Sequence, residues 1–268
     1  MKKIAVINDL SGFGKCSLTA AIPIISSLGV QACPLATGVF SNQTGYESFK
    51  SVDLTDSMQS FIDEWKKLCV SFDGILTGFI PNGRQFDIIS RFIDEFKTKC
   101  TVVLVDPIMG DDGEIYPCYD SETVEKVKAL SKKADIITPN LTELALLAGC
   151  DIKGEYTPNS IRAMSKGTGV KTVITTGITI GNEIANAVYS DGGFELIKSK
   201  RLGEHFSGTG DIFSSYILAS YISSKSITDS VKAASHFIER TIEETLSEET
   251  PKHYHPDGIN FEKLITQK

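Results

Sequence analysis

Gly208-Thr209-Gly210-Asp211 stands directly before an apolar stretch with helical spacing. Three small residues at a helix mouth leave successive backbone N–H groups free to face an anion, and the helix dipole adds positive potential there. Such a nest can hold the charge that develops on a phosphoryl group during transfer. Asp211 is placed to accept a proton from an attacking hydroxyl. The same four residues also read as an ordinary helix start, because acidic residues are favoured in a first turn.

Other candidates follow the apolar runs. Asp106 ends the most apolar of them, 101–105, and Asp111 lies downstream in a loop, 107–117, that carries Gly110 and Gly113. Carboxylates there can help hold Mg²⁺, although Asp-Pro and Asp-Asp-Gly are also common turn chemistry. That loop is the expected lid. Asn140 and Glu143 have capping-box spacing, and a capping glutamate can still orient metal-bound water.

Gly12-Phe13-Gly14-Lys15-Cys16-Ser17 looks like the end of a Walker A loop. The full pattern needs glycine where Asp9 stands and serine or threonine where Cys16 stands, and both fail. Triphosphate chemistry therefore falls to 208–211. His205 and His236 come without a G-x-S-x-G elbow, and His253 and His255 read as inert tail residues.

The elements that must position these residues alternate. Strands are expected at 4–7, 74–77, 101–105, 135–138 and 172–175, with an extended run over 30–40. Helices are expected at 18–28 (bent at Pro23), 58–69, 86–96, 123–132, 143–148, 160–166, 211–223 and 230–246. Residues 185–198 read as a β-hairpin turning at Asp191-Gly192-Gly193. Buried strands alternating with helices specify an α/β fold: a doubly wound, mostly parallel sheet flanked by helices, with a small β-hairpin extension. One domain is expected over 1–268, with a polar tail from about residue 248. Ligands in such sheets bind beyond the carboxyl ends of the strands, where the carboxylates and hydroxyls gather.

Composition sets the outer bounds. A formal net charge of −7 over 268 residues offers no basic footprint for nucleic acid. Six cysteines without a C-x-x-C pair fit free, mostly buried thiols in a reducing cytoplasm. The apolar run after Lys2-Lys3 is too short for a signal peptide, and no run reaches transmembrane length.

Taken together the segments resemble the ribokinase superfamily, and within it the pyridoxal (vitamin B6) kinases. The resemblance rests on four patches in order along most of the chain. They are Phe40-Ser41-Asn42-Gln43-Thr44-Gly45-Tyr46, Asp106-Pro107-Ile108-Met109-Gly110-Asp111, Asp135-Ile136-Ile137-Thr138-Pro139-Asn140 with Glu143, and Gly208-Thr209-Gly210-Asp211. It implies transfer of the γ-phosphoryl of MgATP to the 5′-hydroxyl of pyridoxal, pyridoxine or pyridoxamine. Asp211 would be the base, and Gly208, Thr209 and Gly210 the anion hole. Ser11 and Thr44 would contact the polar groups of the pyridine ring, Gly45 would shape the pocket and Phe79 would stack on the ring. Asp106, Thr138 and Glu143 would handle ATP phosphates and hydrated Mg²⁺, and Thr175 and Thr176 would contact phosphate or nucleotide. Asp111 would lie near a monovalent-cation (K⁺ or Na⁺) site, and a homodimer is implied. The start Asn8-Asp9-Leu10-Ser11-Gly12 is closer to hydroxymethylpyrimidine kinases, which makes that activity the alternative. A non-catalytic B6-binding protein, the alternative of another class, would be expected to have lost the aspartate or the glycines.

Overall fold

The structure is a computed structural model that describes residues 1–203, 205–248, 254–255 and 257–266. The chain opens with β1 (Lys3–Ser11), α1 (Ser17–Ser27), β2 (Gln31–Phe40) and the short β3 (Ser51–Asp53). It continues through α2 (Thr55–Lys67), β4 (Gly74–Thr77), α3 (Gly83–Phe96) and β5 (Val102–Val105). A small hairpin, β6 (Gly110–Asp111) and β7 (Glu114–Ile115), precedes α4 (Ser121–Ser131), β8 (Ile136–Ile137), α5 (Leu141–Ala148) and α6 (Pro158–Gly167). Next come β9 (Thr172–Ile180), β10 (Glu183–Ser190), β11 (Gly193–Lys200) and β12 (His205–Phe206). The last elements are α7 (Thr209–Ile222), α8 (Ile227–Glu248), β13 (Tyr254–His255) and α9 (Glu262–Thr266).

Among the described residues the main sheet has the order β11-β10-β9-β8-β5-β4-β1-β2-β3. Strands β2, β1, β4, β5, β8 and β9 are mutually parallel, and β3, β10 and β11 add antiparallel edges. Successive side chains on a strand face opposite sides. Ala5, Ile7, Ile75, Val103 and Val105 therefore pack with Ile62, Phe86, Ile89 and Phe92 on one face. Ile4, Val6, Leu76 and Leu104 pack with Leu18, Ile217 and Leu218 on the other. Each buried valine, leucine, isoleucine or phenylalanine among them contributes about 1.5–3 kcal/mol.

The sequence expectations differ from the structure in several places, beginning with the first strand, expected at 4–7 but running on to Ser11. The strand expected at 172–175 runs on to Ile180, because β10 pairs with it antiparallel on both sides of a bulge at Thr176 and Gly177. The expected hairpin is β10 and β11, turning through Asp191 (φ 50°) and Gly192 (φ 78°), the type I′ geometry that matches strand twist; it extends the main sheet. The expected polar tail belongs, in its described part, to the fold: β13 pairs with β12, and Ile259 and Phe261 are buried against Ala20, Ile24 and Ile212. The cysteines are free, but the expectation of burial fails: Cys16 is buried and Cys33 half-buried, while Cys69, Cys100, Cys118 and Cys150 are exposed. His253 and the side chain of His255 lie outside the described residues. No helix among those residues is long and apolar enough to cross a membrane.

Candidate active site

The chain leaves β1 toward β2 on one side and reaches β4 on the other. This reversal of winding opens a crevice beyond the carboxyl ends of the two neighbours, the place where doubly wound sheets bind ligands. Asn8, Asp9 and Ser11 come from β1, Gly78 and Phe79 follow β4, Asp106 follows β5, and Thr138 follows β8. The start of α7 sits against the same edge.

Gly208 makes that start possible. It adopts φ 76°, and a Cβ there would stand 1.9 Å from the backbone oxygen of Lys15. Only glycine fits on both counts. Ile212 donates its N–H to the Gly208 carbonyl (3.0 Å), whereas the N–H groups of Thr209, Gly210 and Asp211 find no acceptor among the described residues. The Thr209 hydroxyl turns back to the carbonyl of Phe206 (3.3 Å).

The Asp211 carboxylate is held from two sides. Oδ1 accepts from Asn8 Nδ2 (2.8 Å), and Oδ2 accepts from the Ser17 N–H (2.7 Å). Ser17 reaches that position in a left-handed conformation, φ 49°, unusual for a residue with a Cβ. Its hydroxyl donates to Asp9 Oδ1 (2.6 Å), and the Ser11 hydroxyl donates to Asp9 Oδ2 (2.9 Å). Burial pushes the Asp211 carboxyl up to about 6, against the pull of the Ser17 hydrogen bond. Burial also raises Asp9, and it drives the Cys16 thiol up to about 12 with Asp211 and Asp9 adding repulsion. Cys16 stays a thiol.

A second carboxylate pair sits across the edge. The Thr138 hydroxyl donates to Asp106 Oδ1 (3.0 Å). Glu143 completes the capping box: Oε2 accepts from the Asn140 N–H (2.9 Å), while the Asn140 side chain accepts from the Glu143 N–H (2.9 Å). Glu143 Oε1 also accepts from the Met109 N–H (3.1 Å), which ties the cap to the segment after Asp106. Burial, then repulsion from Asp211, raises Asp106 to about 7. Burial, then Asp106, raises Glu143 well above the usual carboxylate range. Among the described residues no lysine, arginine or histidine pairs with Asp9, Asp106, Glu143 or Asp211. Buried carboxylates without a positive partner are an electrostatic vacancy for a cation. Oxygen donors suit Mg²⁺. No three acidic, histidine or cysteine side chains among the described residues form a ready cage, so such an ion would keep most of its water, as Mg²⁺ prefers.

The structure separates some of the predicted residues. Asp111 lies exposed on the β6 and β7 hairpin, its carboxylate accepting from the Asp112 N–H (2.9 Å), and does not join Asp106 and Glu143 in a ligand set. The hairpin expected as a lid is tied down: Asn140 Nδ2 donates to the Gly110 carbonyl (2.7 Å), and the Gly113 N–H donates to Thr142 Oγ1 (2.9 Å). Thr175 is fully buried with its hydroxyl unpaired among the described residues, while Thr176 is half-buried and donates its N–H to Pro139 (2.9 Å). Ser11 is buried, its proton committed to Asp9. Thr44 and Gly45 are exposed on a loop beside a cleft of about 350 Å³ lined by Phe13, Ser41, Asn42, Tyr46, Glu47 and Ser48. Phe79 is half-buried and lies parallel to Tyr119, ring centres 6.0 Å apart.

Asn8, Asp9, Ser17 and Lys15 are the residues that sequence reading left without a role. Lys15 receives the returning chain end: its N–H donates to the Asp257 carbonyl (3.0 Å), and its ammonium bonds Asn260 and Glu262. The Tyr46 hydroxyl bonds the Asp257 carboxylate. An N-D-x-S-G run after a first strand was the available signal. It marked Asn8 and Asp9 and gave no partner for them, while Lys15 and Ser17 stood only in the failed Walker A match.

The sequence profile of the phosphomethylpyrimidine kinase family matches residues 15–255. A pyridoxal kinase from Dictyostelium discoideum is 26% identical over 227 residues, covering 76% of this chain and 72% of its own length. A solved structure from Bacteroides thetaiotaomicron, provisionally assigned as a phosphomethylpyrimidine kinase and determined with pyridoxal, is 38% identical. It superimposes with a TM-score of 0.93 over 98% of this chain and 94% of its own. The pyridoxal kinase of Lactobacillus plantarum, 24% identical, shares the fold with a TM-score of 0.90 over 99% of this chain and 95% of its own. The ribokinase-like, doubly wound architecture expected from the sequence is the one observed.

Proposed function

The chain belongs to the phosphomethylpyrimidine kinase family, and we propose that it is the kinase that transfers the γ-phosphoryl of ATP to the 5′-hydroxyl of pyridoxal, pyridoxine or pyridoxamine. The observation that carries this reading is the pairing of a half-buried, two-point-held Asp211 with unpaired N–H groups at the mouth of α7. The likeness to a structure determined with pyridoxal, and to relatives named pyridoxal kinase, supports the substrate class.

In this reading Asp211 accepts the proton of the 5′-hydroxyl, while the N–H groups of Thr209, Gly210 and Asp211 donate to oxygens of the transferring phosphoryl. The transition state is loose, so positioning and charge stabilisation supply most of the rate. Asp106 and Glu143, with Thr138, would hold hydrated Mg²⁺ against the phosphates. That ion would neutralise charge on the β- and γ-oxygens. Thr176 and the buried Thr175 hydroxyl lie on the nucleotide side. Thr44, Gly45 and Phe79 would line the vitamer pocket, with Ser11 behind them. A monovalent cation near Asp111, one kinase domain over the chain, a homodimer and a cytoplasmic location complete the proposal. Four exposed free thiols suit a reducing compartment.

The second reading, hydroxymethylpyrimidine phosphorylation, is favoured by the family description and by Asn8-Asp9-Leu10-Ser11-Gly12. Measuring ADP release with each of the three vitamers and with hydroxymethylpyrimidine separates them. Turnover confined to the pyrimidine replaces the first reading with the second, and no turnover on any of the four removes both.

A further inference from the structure

Asn8 is 2% exposed and makes three hydrogen bonds with its side chain. Oδ1 accepts from the N–H of Phe79 (2.9 Å) and from its own neighbour Asp9 (3.0 Å). Two backbone donors on one oxygen fix which end of the amide is which, so the NH₂ must face the other way. It faces Asp211 Oδ1 at 2.8 Å. A neutral donor on a half-buried carboxylate favours its ionised, proton-accepting form and leaves less freedom to its rotamer.

Gly78 shows what this arrangement requires. The three atoms nearest to a Cβ built at Gly78 all belong to Asn8: Nδ2 at 2.2 Å, Cγ at 2.5 Å and Oδ1 at 2.8 Å. Gly78 does not have a positive φ, so the backbone itself would accept alanine. Its missing side chain makes room for one amide.

We propose that Asn8 is a positioning residue for the base: it orients the Asp211 carboxylate from β1, registers it against the Phe79 backbone on the substrate side, and depends on Gly78 for its space. The inference rests on the reading of Asp211 as the base.

Asn8→Asp tests it, since the variant is nearly isosteric and keeps the acceptor for Phe79 and Asp9 while replacing the donor to Asp211 with an oxygen. The expected result is a fall in kcat of about 10- to 100-fold, the cost of one hydrogen bond to a charged group, with KM for ATP and vitamer within about 3-fold. Asn8→Ala should lose kcat similarly. Gly78→Ala should lose about 10-fold by displacing the amide, yet cost less than about 2-fold more when added to Asn8→Ala, because its clash partner is then gone. Asn8→Asp with unchanged kcat, or a Gly78→Ala penalty that persists in full in the double variant, overturns the proposal. Asp211→Asn measured alongside keeps the two ideas apart. If it retains near-normal turnover, the base assignment has failed and Asn8 positions nothing catalytic. If it is inactive while Asn8→Asp is normal, the positioning role alone is lost. Should Asn8→Ala not fold, Asn8→Asp and Gly78→Ala still decide.

Discussion

A Cβ placed on Gly210 would lie 3.7 Å from Asp106 Oδ2, so the start of α7 and the carboxylate cluster face each other across a gap that one methyl group would fill. Positive N–H ends and negative carboxylates are thus brought within reach of one phosphate and one hydrated cation. The two glycines of the nest should therefore fail differently. Gly210→Ala meets only ordinary contact distance and should fold normally, losing kcat as the added methyl intrudes on the phosphoryl position. Gly208→Ala meets the Lys15 carbonyl at 1.9 Å with φ 76° and should lose thermal stability as well. Melting curves and steady-state kinetics on both variants check this, and equal melting temperatures would contradict it.

Replacing Asp211 with asparagine keeps the shape and removes the proton acceptor. Turnover should drop by about 10²–10⁴-fold, the span typical of general-base loss. ATP affinity, measured by titration calorimetry, should change little, because the N–H groups proposed to donate to the phosphates remain.

The unpaired carboxylates make stability depend on pH in a defined sense. The folded pKa of Asp106, about 7, lies above its ordinary value of 3.8. Its contribution to stability is therefore fully present below about pH 4 and is lost as pH rises through 7. Asp9, Glu143 and Asp211 are raised too and act in the same direction. Ligand-free protein should melt at lower temperature at pH 8 than at pH 5.5. Asp106→Asn should flatten that dependence and stabilise the protein at pH 8 by about 2 kcal/mol, while abolishing turnover. A steeper pH dependence in the variant would refute the electrostatic account.

Phe79→Ala should raise KM for the vitamer about 10-fold with little effect on KM for ATP, since an aromatic pair contributes about 0.5–1.5 kcal/mol beyond burial. A matching loss for ATP would mean that the ring supports the fold around Asn8 instead.

Phe261, 2% exposed in the cluster with Ile24 and Ile212, should cost about 3–5 kcal/mol when cut to alanine. Chemical denaturation reads this directly, and a loss below 1 kcal/mol would return the chain end to the status of a loose tail.

The alternation of strands and helices and the glycine start of α7 were legible because they are local: apolar runs, helix mouths and capping spacing lie within a few residues. Asn140 and Glu143 announced their box by position alone. Phe261 went unread because single apolar residues among charged ones carry no periodicity. The expected strand stopped short of Gly177 because glycine ordinarily punctuates; here it marks a bulge, φ 71°, beyond which the antiparallel ladder with β10 resumes. Asp106 and Glu143 could be named as ligand candidates. Their lack of any cationic partner among the described residues became visible only in three dimensions.

Asn8 and Asp211 are 203 positions apart, and Tyr46 and Asp257 are 211 apart. The candidate site is thus a seam between early and late segments of the chain, and closing so long a loop costs entropy before any contact rewards it. The single tryptophan, Trp65, sits instead in a cluster with Phe72, Phe92 and Phe96, all drawn from neighbouring elements. During refolding its fluorescence should recover first, with catalytic competence arriving as a later, separate event.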